Sequence, residues 1–217
     1  MAGLVDEIRE ALVADGSLDG HGPYPERELV RALLMLINDT EELVRQRACW
    51  ELGRAVSRMS ESKIEVFIQR LLWRLNPESG DNPMGVPEAL GEIGYRAPEQ
   101  IRNAVCVFLQ YLDDERLRPG LLQAVGRVGQ RLSDVFTEHF SAISPYLGDK
   151  DPIISGNAVL ALARISRGDA TETTDVVGND EREVRIYCRG EYRRMALCEL
   201  VSHDCVNEDA LCFVTGN

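Results

Sequence analysis

The sequence overlays on itself. Between 61 and 75, apolar residues fall at Ile64, Phe67, Ile68, Leu71, Leu72 and Leu75, which is the spacing of one face of an α-helix. The same set recurs 37 residues on as Ile101, Ala104, Val105, Phe108, Leu109 and Leu112, and 35 further on as Phe136, His139, Phe140, Ile143, Ser144 and Leu147. Stepping back 38 from the first set gives Leu29, Val30, Leu33, Leu34 and Ile37. The segments between match too: RACWELG (47–53), EALGEIG (88–94), QAVGRVG (123–129) and NAVLALA (157–163) align at offsets of 41, 35 and 34. Small residues form two columns, Ala48, Ala89, Ala124, Ala158 and Gly53, Gly94, Gly129, Ala163, beside an aliphatic column of Leu52, Ile93, Val128 and Leu162. Glycine inside a helix costs about 1 kcal/mol against alanine, so a recurring one implies close helix packing.

Each unit therefore reads as helix, turn, helix. Asp39 and Thr40 precede a helix expected over 40–59, Pro87 lies in the first turn of one over 86–96, and Asp151-Pro152 is a cap followed by a first-turn proline. One such hairpin cannot bury its own apolar face, so the units must stack. A helix over 2–14, with Leu4, Val5, Ile8 and Leu12, is expected to cover the first open edge.

On this period and these columns, residues 25 to 167 resemble a HEAT-repeat protein of the short bacterial type grouped with the phycobilin-lyase HEAT-like repeats. The stretch LLWRLNPESGDNPMGVPEALGEIG (71–94) is also similar to one in an uncharacterised bacterial HEAT group. The resemblance implies an all-α fold, a right-handed α-α superhelix of about four hairpins, to which the residues beyond it add a small β-hairpin appendage. We expect the solenoid and its capping helix over 1–168 and an acidic linker over 169–183. The appendage is expected over 184–217, where VRIYC and EYRRM flank a turn at Arg189-Gly190, CELVSH makes a helical turn, and ALCFV is a third strand or a frayed tail.

Composition narrows the function. With 36 acidic and 24 basic residues the net charge is −12, which argues against a nucleic-acid partner. No apolar run is long enough to span a membrane, and Asp6, Glu7 and Glu10 are wrong for a signal peptide, so a soluble cytoplasmic protein is expected. The six cysteines then read as reduced thiols. Four of them, Cys188, Cys198, Cys205 and Cys212, lie near His203, but their wide gaps do not match a zinc site, so no metal or cofactor is expected. His139 falls on a helix's apolar face and reads as a core residue. The repeated His-Glu pairs of iron-binding HEAT hydroxylases are missing, since Glu138-His139 runs in reverse order, and no catalytic motif stands out.

Two surfaces are candidates for partner binding. The second helices of HEAT units line the concave side, and the overlay puts Arg47/Glu51, Glu88/Glu92 and Gln123/Arg127 at equivalent positions, with Arg54 and Arg164 on nearby turns. This gives a polar stripe of mixed sign, read either as a docking ridge or as an ordinary solvated face. The loop NPESGDNPM (76–84) offers Glu78, Ser79, Asp81 and Asn82. Trp50 stands where other units carry Gly91, Gly126 and Leu160, and reads as core; Trp73 lies one residue beyond the buried set of its helix. The function expected from these features is a non-catalytic scaffold that holds another protein. The alternative, implied by the resemblance alone, is an accessory or lyase-like factor for attaching a cofactor to a client.

Overall fold

All four inner segments of the repeat lie on helices in the computed structural model of the chain, which describes residues 2–21, 23–166, 177–201, 206 and 210–216. The fold is mostly helical with a small C-terminal antiparallel sheet. The chain forms two compact units, 1–103 and 104–217.

The first unit contains α1 (Ala2–Ala14), α2 (Glu26–Leu36), α3 (Glu42–Val56), α4 (Glu61–Leu75), α5 (Val86–Arg96) and α6 (Pro98–Ile101). Helices α2 and α3 form one hairpin, α4 and α5 the next, and the inner helices α3 and α5 pack on each other. Val44, Ala48 and Leu52 of α3 and Ala89, Leu90 and Ile93 of α5 are wholly buried. Their approach depends on Gly53: a Cβ there would lie 2.8 Å from the Glu92 carbonyl oxygen, so only glycine lets the two backbones meet. Helix α1 packs on α2 and α3 through Ile8 and Leu12, and Arg9 Nε reaches Asp39 Oδ2 at 2.7 Å.

The second unit contains α7 (Val105–Gln110), α8 (Arg118–Gly129), α9 (Ser133–Thr137), α10 (Phe140–Ile143) and α11 (Pro152–Ile165). Its inner pair, α8 and α11, is nearly all buried, and here Gly126 allows the close approach: a Cβ would lie 2.9 Å from Ala161 Cα. Asp151 caps α11 as expected, its Oδ1 accepting from the Ile153 N–H at 2.8 Å.

The two outer segments expected at 101–112 and 136–147 are not single helices. The first is broken by a 3-10 turn at Arg102–Ala104, within a run of poor helix formers (Asn103, Val105, Cys106, Val107). In the second, Pro145 lacks the N–H that would continue the ladder, and Ser144–Tyr146 tighten into a 3-10 turn. His139 precedes α10 at the other break in that segment (φ −111°), so it leaves the core face and is half-buried, with its Nε2 3.9 Å from Cys106 Sγ.

The C-terminal strands are β1 (Glu183–Cys188), β2 (Glu191–Ala196) and β3 (Cys212–Thr215), in the order β2-β1-β3. Arg189 and Gly190 turn the hairpin with φ 54° and 87°, the left-handed pair a tight two-residue turn requires. The third strand is real, with Cys188 opposite Cys212. Val214 packs where a Cβ on Gly156 of α11 would sit, 3.1 Å away. Of the expected linker, residues 169–176 lie outside the described residues, as do Cys205 and His203. Arg182 is described, and its Nη1 donates to the Asp149 carbonyl at 2.6 Å.

Candidate functional site

The polar stripe is not an open ridge. Glu51, Glu92, Gln123 and Arg127 are each at most 6% exposed. The positions on α3 are covered by the last turn of α1 and the chain that follows it. Arg47 Nη1 donates to the Leu12 and Val13 carbonyls at 2.5 and 3.2 Å, the Leu18 N–H donates to Glu51 Oε1 at 3.1 Å, and Arg54 holds Asp19 at 2.7 Å. In the second unit the C-terminal segment plays the same part. Arg127 Nη1 donates to Gln130 Oε1 at 2.8 Å, Gln130 Nε2 to the Val206 carbonyl at 2.7 Å, and Arg164 Nη2 to the Cys212 carbonyl at 3.2 Å. A buried charge is tolerated only when paired: the Leu18 N–H serves Glu51 and the Cys212 carbonyl serves Arg164. The stripe binds its own protein, so its buried members are withdrawn from a partner surface.

On α5, Glu92 accepts from Arg96 at 2.6 Å, and the Arg96 guanidinium lies 4.2 Å over the half-buried Trp50 ring, which thus sits at the margin rather than inside the core. Glu88 Oε2 is shielded from water and has no hydrogen-bond partner, and burial pushes its carboxyl above the ordinary range. Burial, with Glu88 and Glu92 nearby, pushes the Cys49 thiol well up. Its Sγ approaches the Gly85 carbonyl at 3.3 Å, so this thiol is a packed, unreactive one.

The 76–84 loop is tied to itself. Asn76 Oδ1 accepts from the Glu78 N–H at 2.9 Å, Asn82 Oδ1 from the Met84 N–H at 3.1 Å, and Ser79 Oγ donates to the Arg74 carbonyl at 3.4 Å. Arg74 holds Asp81 at 3.4 Å, and Glu78 is exposed.

An open site lies elsewhere in the first unit. A groove of about 710 Å³ runs between α2 and α4, lined by Val30, Leu34, Met59, Val66 and Phe67 and by Glu26, Arg27, Arg31, Ser62, Lys63 and Arg70. Leu34 and Phe67, assigned to the packed face by their spacing, are half-buried in the floor of this groove, and Val66 is 52% exposed. Trp73 and Met35 also stand exposed on these two helices, at 59% and 57%. No hydrogen bond or ion pair among the described residues engages the Arg27, Arg31, Lys63 or Arg70 side chain, whereas Arg9, Arg54, Arg74 and Arg96 all hold carboxylates. Sequence reasoning missed the groove. The signal was present: α2 and α4 each carry more apolar positions than one neighbouring helix can cover, interleaved with basic residues.

Among the described residues no three His, Cys, Asp or Glu side chains come together to hold a metal ion, and no helix is long and apolar enough to cross a membrane. No family model matches the chain. It is similar to an uncharacterised protein of Archaeoglobus fulgidus, 26% identical over 171 residues, covering 78% of this chain and 91% of that protein. An engineered protein with a crystal structure is similar at a TM-score of 0.45 and 17% identity, covering 80% of this chain and 85% of its own, a likeness too slight to carry an argument.

Proposed function

We propose that this chain is a non-catalytic adaptor, built from stacked HEAT-like helical hairpins and acting in the cytoplasm, that binds another protein through the α2–α4 groove. The observation that supports it is the groove itself: an open apolar floor bordered by four cations that no described residue engages, in a chain of net charge −12. Arg9 and Arg47, by contrast, are held by the protein's own carboxylates and carbonyls. Groove recognition of a protein segment needs a rigid frame, and the buried α3–α5 packing beneath supplies one.

The test is photo-cross-linking in the source cells, with the reactive side chain in place of Leu34 and, as a control, in place of Val13, an exposed apolar residue away from the groove. Adducts to one protein from position 34 alone are expected. Equal labelling from both positions, or none from position 34, would overturn the adaptor reading. A bound pigment or metal in the purified protein, with no protein adduct, would replace it with the accessory role in cofactor attachment.

A further inference from the structure

We propose that the α2–α4 groove takes an acidic amphipathic helix of its partner; this rests on the protein-binding reading above and names the chemistry of what binds. The lining runs from Glu26 to Leu34 on α2 and from Ser62 to Arg70 on α4. At a rise of about 1.5 Å per residue, each wall is about 12 Å long, two turns of a docked helix. Two turns present an apolar stripe at i, i+4 and i+7, and the floor formed by Val30, Leu34, Val66 and Phe67 receives such a stripe.

Charge selects the flanks of that helix. Arg27 and Arg31 are one turn apart on one wall, and Lys63 and Arg70 are two turns apart on the other. The positive charge is therefore spread along both sides rather than gathered at one end, as a single phosphate or carboxylate headgroup would need. A helix with glutamate or aspartate on both borders of its apolar face meets all four. Glu26 is the lining's one carboxylate, and it sits in the first turn of α2, where the helix dipole already favours it. The chain as a whole carries a net charge of −12, so the attraction for such a segment is local to these basic walls and does not come from the overall charge.

The probe is a fluorescein-labelled helical peptide of about 14 residues with leucines at i, i+4 and i+7 bordered by glutamates, titrated with the full chain by fluorescence anisotropy. Its counterparts carry glutamine or lysine in place of glutamate. The glutamate peptide is expected to bind at least about tenfold more tightly than the glutamine one, and to lose that advantage as salt rises from about 0.05 to about 0.5 M. Arg31→Glu with Lys63→Glu should abolish the preference and admit the lysine peptide, while Val66→Ser should weaken all three. These are exposed positions, so unchanged thermal melting is expected to confirm the fold. Equal binding of the glutamate and glutamine peptides, or preference for lysine, overturns the proposal. So does capture by phosphatidylglycerol vesicles, with the same sensitivity to charge reversal, when the glutamate peptide stays unbound. If the glutamate peptide fails while position 34 still cross-links to one protein, the acidic helix is wrong and protein binding stands. If both fail, both fall.

Discussion

Glu88 and Asp39 show how two carboxylates in one unit come to oppose each other in their response to pH. Burial raises the carboxyl of Glu88 above its ordinary range, so the folded state holds that proton to a higher pH than the unfolded chain. Stability then falls as pH rises from the ordinary glutamate value through the raised folded value. Glu88→Gln removes this penalty, and its melting temperature minus that of the wild type should increase from pH 4 to pH 8; a difference flat across that range would refute the account. Asp39 is held below its usual range, chiefly by the hydrogen bond from Arg9. Its contribution is present above the ordinary aspartate value and is lost as pH falls through the lowered one. Asp39→Asn should therefore lower the melting temperature at neutral pH, with the deficit fading in acid. The identity of both residues was plain in the sequence, yet neither environment was, because Arg9 lies 30 positions from Asp39.

At the scale of elements, the inner helices carry the packing. Gly126→Val forces a side chain against the α11 backbone and should cost about 2 kcal/mol or more in a denaturant titration. Gly148, with nothing within 4 Å of its would-be Cβ, is the control, and Gly148→Ala should stay within about 0.5 kcal/mol. Asp151→Ala removes the cap of α11 and should cost about 1 kcal/mol; no loss would mean water replaces the cap at no penalty. The inner helices were legible because their small and aliphatic columns repeat in register. The breaks at Arg102–Ala104 and Ser144–Tyr146 were not, since the apolar period runs on through Asn103 and Pro145 while the backbone does not. Period reports which side of a segment is apolar and is silent on whether the ladder beneath it is continuous.

At the scale of the molecule, charge sets behaviour in solution. A net charge of −12 makes the folded state repel itself, and added salt screens that repulsion. The melting temperature should rise with sodium chloride, in the same range where groove binding weakens; a falling melting temperature would mean that specific ion pairs outweigh the general repulsion. The inner helices, the turn at Arg189-Gly190 and the cap at Asp151 could all be read from the chain, since each is specified within a few neighbouring residues. What covers a polar helix face is settled over far longer separations. Leu18 reaches Glu51 across 33 positions, Cys212 reaches Arg164 across 48, and Val206 reaches Gln130 across 76. A charged stripe has the same local pattern whether water, a partner or the chain's own end lies over it. Only the tertiary structure shows that distant segments of the chain engage Glu51, Gln130 and Arg164 and that the open groove lies between α2 and α4.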